Sequence, residues 1–198
     1  SFILVEGPFD FKFLRTRKCS NVEIINCQGR RNLEEVSEIN RARNLTKLIG
    51  VTDRDYDFFD LHPVLRNEDL VYTDFNDLET TILSFGVAEK IIQALCDESK
   101  LNEDGIFLNC PSSIFRDSLF IGKLRYISKR EQHNFPFQKK YPMPKYYDNT
   151  YTFNSDQLLN DFCAHTLLSQ SEVLQQMSQV PEDPLWHMVR GHDCIFNI

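Results

Sequence analysis

The chain has 198 residues, of which 41% are hydrophobic and 26% are charged, a composition that supports one packed domain or one domain with a helical annex. No run of 18 or more apolar residues occurs, so the sequence excludes a transmembrane helix. The net charge of −7 argues at first sight against a nucleic-acid partner.

In the first half, short apolar runs alternate with segments of helical spacing. Strands are predicted at residues 2–5, 22–27, 48–52 and 70–73, and helices at 9–17 and 33–45. Asp77 is expected to cap a further helix that runs from Leu78 toward Leu95. This alternation predicts βαβ units and therefore an α/β fold with a parallel sheet flanked by helices. Because Ser1 is not an initiator methionine and the first apolar strand begins almost at once, we expect native residues upstream to be missing. Residues 1–5 carry no charged leader of the kind that a signal peptide has.

The second half loses this alternation. Helices are predicted at residues 114–127, 158–168 and 172–177 and from Trp186 onward, with a long loop at 134–150. We therefore divide the chain into a catalytic domain at 1–100 and a mainly helical region at 101–198 that packs on it. The six cysteines form no CxxC pair, which is typical of buried thiols in a reducing cytoplasm.

Acidic residues follow the apolar strands at the points where those strands end. The carboxyl ends of parallel strands meet at one edge of a sheet, where ligands collect, and carboxylate oxygens are the ligands that Mg²⁺ prefers. The sequence therefore predicts a site for Mg²⁺ or Mn²⁺ at this edge. Its candidate ligands are Glu6, Asp10, Asp53, Asp55, Asp57 and Glu79.

These residues could have different chemical roles, as metal ligands or as a proton acceptor. Asp53, Asp55 and Glu79 could hold one ion, while Glu6 could bind a second ion or accept a proton from an attacking water. Asp10 has the alternative of capping the first helix. Lys123 and Arg30 are candidates for stabilising the charge that develops on a phosphate.

The ordered motifs resemble the Toprim domain of topoisomerases, bacterial primases and certain nucleases. The resemblance rests on Val5-Glu6-Gly7 with Asp10, then Gly29, then the acidic run from Asp53 to Asp57. Gly7 and Gly29 also have a structural interpretation as turns with positive φ. The segment Asp77-Leu78-Glu79 is similar to the site of an extra metal-binding glutamate in the overcoming-lysogenization-defect (OLD) nucleases.

Three later segments are similar to one bacterial subfamily of stand-alone Toprim nucleases with a helical C-terminal part. They are Ile121-Gly122-Lys123-Leu124-Arg125, Phe135-Pro136-Phe137 and the run from Trp186 to Asp193. Some members serve as effectors in anti-phage systems beside an ABC-type ATPase. The resemblance implies a metal-dependent endonuclease that cuts DNA or structured RNA, such as tRNA. The alternative is a sequestered effector whose main role is to bind an ABC-type ATPase partner, and a homodimer also remains open.

A basic segment at residues 123–145 contains seven lysines and arginines against one acidic residue, Glu131. Basic residues neutralise phosphates, and exposed rings among them could stack on bases. The competing interpretation is a solvated loop whose aromatic rings pack on the core. The candidate nucleic-acid-binding residues are Arg30, Lys129, Arg130, Lys139, Lys140 and Lys145.

Other phosphate-handling classes fit the sequence less well. No tyrosine-bearing breakage domain or zinc module accompanies the motifs, as a topoisomerase or a primase would require. A phosphatase of the haloacid dehalogenase type normally has small residues after its DxD pair, whereas Tyr56 follows it here. No P-loop is present, since Asp117 stands where the first glycine before Gly122-Lys123 would be needed.

Overall fold

The computed structural model describes residues 1–44, 47–59, 68–95, 106–137, 139–149, 152–181 and 185–196. The chain forms two compact units, Ser1–Thr81 and Ile82–Ile198. The boundary predicted between residues 100 and 101 lies outside the described residues. Among the described residues, no helix is long and apolar enough to cross a bilayer.

The first unit is a four-stranded parallel sheet with helices between its strands. The strands are β1 (Phe2–Val5), β2 (Glu23–Asn26), β3 (Leu48–Thr52) and β4 (Leu70–Tyr72), and their order in the sheet is β2-β1-β3-β4. Helix α1 (Pro8–Arg15) connects β1 to β2, and α2 (Arg30–Arg43) connects β2 to β3. The predicted α/β fold class is therefore confirmed, and each predicted strand is present to within one residue at either end.

The register of the sheet brings the ends of the central strands level with each other. Val5, the last residue of β1, is paired with Asn26 at the end of β2 and with Val51 near the end of β3. Thr52 of β3 is paired with Tyr72 of β4. The residues that follow β1, β3 and β4 consequently emerge at one edge of the sheet.

The sheet core is close-packed where α2 crosses β3. Leu4, Val5 and Leu33 are almost completely buried. A Cβ atom at Gly50 would lie 2.8 Å from Cδ2 of Leu33 and 2.5 Å from Cδ2 of Leu70, closer than side chains tolerate. Gly50 therefore allows α2 to approach the sheet, which fixes the N-terminal end of α2 near the carboxyl edge.

The predicted helix after Asp77 is broken into three parts. These are α3 (Leu78–Ile82), a π-helical turn (Leu83–Val87) and α4 (Ala88–Leu95). The break occurs at Phe85 and Gly86, whose φ angles are −87° and +72°. Positive φ is accessible to glycine at little cost, so Gly86 permits the turn that the apolar spacing alone did not predict.

The second unit is mainly helical, as predicted. It contains α4, α5 (Ile106–Arg130), α6 (Ser155–Thr166), α7 (Gln170–Ser178), α8 (Leu185–Met188) and α9 (Gly191–Phe196). Helix α5 is longer than the helix predicted at 114–127. The polar residues around Pro111 show no apolar spacing typical of a helix, so the sequence pattern did not predict this part of α5. The predicted loop at 134–150 includes a 3₁₀ helix at Met143–Tyr146.

A close contact anchors α5 against the C-terminal helices. A Cβ atom at Gly122 would lie only 2.3 Å from the backbone oxygen of Met188. Met188 and Val189 are fully buried at this contact. Glycine at position 122 therefore lets the backbone of α8 lie directly on α5.

The described cysteine side chains are free thiols, in agreement with the absence of a disulfide pattern. Cys194 is buried, while Cys27 and Cys163 are partly buried. The expectation of buried thiols is wrong for Cys19, which is exposed in the turn between α1 and β2.

Candidate active site

Glu6 stands at the end of β1 and joins this strand to the end of β3. Its Oε1 atom accepts hydrogen bonds from the hydroxyl of Thr52 and from the backbone N–H of Asp53, the latter at 2.8 Å. Burial raises the pKa of Glu6 above its ordinary value, although these two hydrogen bonds act in the opposite direction. Within the described part of the chain, no hydrogen bond reaches Oε2, which leaves that oxygen for a proton or a cation.

The acidic turn after β3 is held by the loop that follows β4. The backbone N–H of Arg54 donates to Oγ1 of Thr73 at 3.0 Å, and that of Asp55 donates to the backbone oxygen of Asn76 at 2.6 Å. The side-chain amide of Asn76 donates to the backbone oxygen of Asp55 at 3.0 Å. Asp55 has a φ angle of +50°, which few non-glycine residues adopt. These bonds stabilise the turn in a conformation that it would not favour alone.

Asp53 is a carboxyl group whose pKa is strongly raised in this site. Burial, together with the negative charges of Asp77, Glu6, Asp10 and Asp55, raises the pKa of Asp53 to about 8. Its Oδ1 atom accepts one hydrogen bond, from the backbone N–H of Leu78 at 3.2 Å. The sheet therefore gathers five carboxyl groups so closely that one of them retains a proton near neutral pH.

Asp10 fulfils the capping role that was one of its two alternatives. Its Oδ2 atom accepts a hydrogen bond from the backbone N–H of Gly7 at 3.0 Å, at the start of α1. Asp10 is also buried, and its charge acts on Asp53. The capping interaction thus directs a carboxylate into the cluster.

The two glycines of the motif have different backbone conformations. Gly29 has a φ angle of +129°, as the structural interpretation predicts. The same prediction is wrong for Gly7, whose angles of −135° and 176° are extended backbone open to any residue. A Cβ atom at Gly7 would make an ordinary contact with Asp10.

Arg30 is the cation that the structure places beside the acidic turn. It begins α2, and its guanidinium lies 2.5 Å from Oδ2 of Asp57, 2.8 Å from Oε1 of Glu34 and 3.9 Å from Oδ2 of Asp55. Burial alone would lower the pKa of Arg30, but hydrogen bonds to Glu34 and Asp57 outweigh it and raise the pKa. Arg30 therefore orients Asp57 and Asp55, while none of the described cations pairs with Asp53 in this way.

The segment after β4 contributes two carboxyl groups with different surroundings. Asp77 caps α3 as predicted, since its Oδ1 atom accepts hydrogen bonds from the backbone N–H of Thr80 at 2.7 Å and from the Thr80 hydroxyl. Its charge also raises the pKa of Asp53, a contribution that the sequence analysis did not anticipate. Glu79, the predicted ligand, is buried in α3.

The carboxyl groups have the donor chemistry of a Mg²⁺ or Mn²⁺ site, since both ions favour carboxylate oxygens. The negative charges of Asp77, Glu6, Asp10 and Asp55 that act on Asp53 also fit a cation. In the described ranges, however, no group of three or more acidic, histidine or cysteine side chains is already arranged at ligating distances. Two of the oxygens are instead occupied by Thr52 and by Arg30.

The remaining candidate residues belong to the second unit. Lys123 is buried within α5, and Lys129 and Arg130 are exposed at its C-terminal end. Arg130 pairs with Glu131 at 2.7 Å. Lys145 is 2.6 Å from Oδ2 of Asp161, the same oxygen that accepts a hydrogen bond from the buried Tyr146.

The aromatic rings of the basic segment pack into the second unit. Phe135, Phe137, Tyr141 and Tyr146 are all less than 9% exposed, and the rings of Phe135 and Tyr141 stack at 4.4 Å. The interpretation that these rings are exposed for base stacking is therefore wrong. Lys139 and Lys140 are exposed, so the phosphate-binding part of that interpretation stays a prediction.

Sequence reasoning missed the residues that position the carboxylates. Thr52, Thr73 and Asn76 have almost no solvent exposure and hold Glu6 and the acidic turn. The position of these polar residues at or just after strand ends could have indicated their role, because a polar residue buried at that edge needs a hydrogen-bond partner there. No family model matches the chain, and no curated protein matches it.

Proposed function

We propose that this chain is a metal-dependent phosphodiester hydrolase, a Toprim-type nuclease that cleaves DNA or structured RNA. The observation that carries the proposal is the crowding of carboxyl groups around Asp53 at the carboxyl edge of the sheet. Glu6, Asp10, Asp55 and Asp77 arrive there from four different segments.

The cluster is costly as a structural feature. Buried like charges raise each other's pKa values, and such perturbed groups concentrate at functional sites. Arg30 neutralises the outer part of the cluster at Asp57 but leaves Asp53 unpaired with any cation in the described chain. A bound cation would relieve this repulsion.

Asp53 and Asp55 would hold Mg²⁺ or Mn²⁺, with Asp10 close to them and Asp57 reached through water. The ion supplies Lewis acidity that neutralises charge on a phosphodiester. Glu6 would take the proton of the attacking water at Oε2, because its Oε1 atom is already bound by Thr52 and Asp53. Arg30 lies beside the acidic turn and would bind a non-bridging phosphate oxygen.

The finer proposal, a toxic effector in anti-phage defence, rests on the resemblance of the second half of the chain to stand-alone Toprim effectors. A defence effector gains from a site whose activity depends on a trigger. The sequestered form bound to an ABC-type ATPase would then be the resting state of the same nuclease.

The test is cleavage by the purified chain with Mg²⁺ or Mn²⁺, using plasmid DNA, single-stranded DNA, tRNA and duplex RNA as substrates. Glu6→Gln should lower the single-turnover rate at least about a hundredfold, because the proton acceptor is lost. Glu35→Gln on the exposed face of α2 is the matched control and should cleave like the parent chain. Metal-dependent cleavage that survives in Glu6→Gln would overturn the proposed role of this site.

A further inference from the structure

The end of helix α1 and the turn after it carry a dense positive charge in an otherwise acidic unit. Residues 11–22 contain no acidic residue and four basic ones, which are Lys12, Arg15, Arg17 and Lys18. The rest of Ser1–Thr81 contains 15 acidic and seven basic residues. We call these four residues the basic end of α1, and none of them belongs to the candidate active site.

Two of the four cations are open to a ligand from solvent. Lys12 and Arg15 are exposed and lie three residues apart, on one side of α1. Within the described part of the chain, neither side chain makes a hydrogen bond or an ion pair.

The other two cations are partly engaged. Nη1 of Arg17 donates to the backbone oxygen of Phe13 at 2.7 Å and to Oγ1 of Thr16 at 3.1 Å. A guanidinium has five N–H donors, and no described residue accepts from the Nε and Nη2 atoms of Arg17. Lys18 lies 3.4 Å from Oε2 of Glu23, an exposed side chain. Glu23 therefore offsets one of the four charges and leaves a charge of +3.

Aromatic rings of α1 hold the two arginines in place. Cζ of Arg17 lies 4.0 Å from the centroid of the Phe13 ring, and Cζ of Arg15 lies 5.9 Å from that of Phe11. A guanidinium over a ring still presents N–H donors at its edge. Because these contacts restrict the side chains before a ligand arrives, less conformational entropy is lost on binding.

A purely structural role explains only part of this charge. Cations in the last turn of a helix interact favourably with the helix macrodipole. Arg17 already fulfils this role by donating to the backbone oxygen of Phe13. Lys12 and Arg15 add positive charge that pairs with no acidic residue among those described.

Helix α1 joins its basic end to the acidic edge of the sheet. The first turn of α1 carries Asp10, whose charge acts on Asp53. The eight residues of α1 span about 12 Å, at a rise of about 1.5 Å per residue. Phosphates of one strand of a duplex follow each other by about 3.4 Å along the axis. A phosphate at the acidic edge therefore has neighbours on the same strand, about three to four nucleotides away, that reach the basic end of α1.

We infer that the basic end of α1 binds backbone phosphates of a nucleic acid, about three to four nucleotides from the phosphate at the acidic edge. The inference rests on the proposed nuclease function and extends it, because it names the part of the chain that holds the flanking substrate. An anionic membrane fits less well. A helix that lies on a bilayer needs a large apolar face, whereas the exposed apolar residues of α1 are only Pro8 and Phe9.

Fluorescence anisotropy of the full chain in EDTA, which prevents metal-dependent cleavage, tests this contact. The probes are labelled duplex DNA, duplex RNA and the corresponding single strands, each titrated at several salt concentrations. Lys12→Gln/Arg15→Gln should flatten the slope of log K against log salt by about 1.5, since each phosphate contact contributes about 0.7–0.9. This variant should also bind about tenfold more weakly or worse, because charge-assisted hydrogen bonds are lost.

Two further variants separate this contact from general effects of charge. Lys12→Arg/Arg15→Lys keeps both charges and should bind like the parent chain. Lys90→Gln/Arg116→Gln is the matched control, because it removes two charges from exposed positions of α4 and α5. Glutamine is a good helix former, so each variant should remain folded, which its circular dichroism melting curve shows.

Methylphosphonate substitution locates the contact on the nucleic acid, since it replaces one charged phosphate by a neutral group. The affinity of the parent chain should fall for substitutions within one short run of positions. Lys12→Gln/Arg15→Gln should no longer respond to them, because both changes remove the same interaction. Once cleavage with Mg²⁺ or Mn²⁺ has identified the cut, this run should lie about three to four nucleotides from it.

Three results would overturn the inference. The first is a parent chain that binds none of the probes at about 100 µM, the weak end of non-specific affinity. The second is an affinity and a salt slope that Lys12→Gln/Arg15→Gln leaves unchanged. The third is binding to vesicles of phosphatidylcholine and phosphatidylserine that this variant loses while its binding to nucleic acid stays the same. The proposed function fails separately, since cleavage that survives in Glu6→Gln does not alter binding measured in EDTA.

Discussion

The backbone N–H of Asp53 donates a hydrogen bond of 2.8 Å to Oε1 of Glu6, so the ends of β1 and β3 are tied together through a carboxylate. This bond holds the Glu6 side chain in place, and it also holds the start of the acidic turn against the end of β1. A neutral glutamine at this place can still accept the bond through its amide oxygen. The geometry of the acidic turn should accordingly survive the loss of the Glu6 charge.

Asp53→Asn should stabilise the metal-free chain at alkaline pH. The pKa of Asp53 is raised from 3.8 to about 8 in the folded chain, so the folded state binds more protons than the unfolded state between these values. The free energy of unfolding contributed by this group therefore falls as pH rises from about 4 to about 8. Asparagine removes this loss and can still accept the hydrogen bond from Leu78.

We expect the free energy of unfolding of Asp53→Asn to exceed that of the parent chain by about 1–3 kcal/mol at pH 8 and by much less at pH 5. This range is discounted because the Asp53 side chain is partly accessible to solvent. Urea denaturation in EDTA at both pH values measures the difference. Glu35→Gln serves as the control. A variant with the same pH dependence as the parent chain would contradict the crowding of charges around Asp53.

Mg²⁺ or Mn²⁺ should raise the melting temperature of the parent chain. A ligand present at a hundred times its dissociation constant stabilises the folded state by about 2.7 kcal/mol, which corresponds to a shift of several degrees for a chain of this size. Asp53→Asn should lose most of the shift. Asp57→Asn should keep most of it, because Arg30 already binds that carboxylate at 2.5 Å. Equal shifts in all three proteins would place the metal elsewhere.

Asp193→Asn should destabilise the second unit through the buried pair with Arg125. Removing one partner of a buried ion pair leaves the other charge desolvated and costs about 3–5 kcal/mol. The double variant Arg125→Met/Asp193→Leu removes both charges and should recover most of the loss. Chemical denaturation of the three chains gives the comparison. A loss below about 1 kcal/mol, which is typical of an exposed pair, would speak against burial.

The exposed lysines of the basic segment should govern the salt dependence of nucleic-acid binding. Each neutralised phosphate contact reduces the slope of log K against log salt by about 0.7–0.9. The variant Lys129→Gln/Lys139→Gln/Lys140→Gln should therefore bind more weakly and show a slope flatter by about two. Lys145 is left intact because it binds Asp161.

Fluorescence anisotropy at several salt concentrations measures this slope, with Arg116→Gln as the control for a single exposed charge. Unchanged affinity and slope in the triple variant would make the segment a solvated loop. A partner surface would then explain its charge better than a nucleic acid does.

The sequence predicted the sheet well because its signals are local. Apolar runs between turn residues identify strands, and their alternation with helices gives the parallel order. The break at Gly86 and the close approach of Gly122 to Met188 depend on tertiary contacts. No local pattern reports them.

The sequence predicted the carboxylates of the candidate site but not the residues that hold them in position. Glu6, Asp53 and Asp55 follow strands, so topology alone brings them to one edge. The role of Asn76 requires a turn with positive φ at Asp55, which the sequence does not specify. The burial of the aromatic rings after α5 likewise depends on packing against residues distant in the chain, such as Phe162.

The acidic turn also has a dynamic consequence. Three consecutive amides, those of Asp53, Arg54 and Asp55, donate to acceptors in Glu6, Thr73 and Asn76, three residues from other parts of the chain. Amide hydrogens so bound exchange with deuterium only when the surrounding segments open together. The turn should therefore be protected as strongly as the neighbouring strands, although its composition is that of a solvent-exposed loop. Deuterium uptake at these three amides would then show whether the carboxyl edge of the sheet is intact.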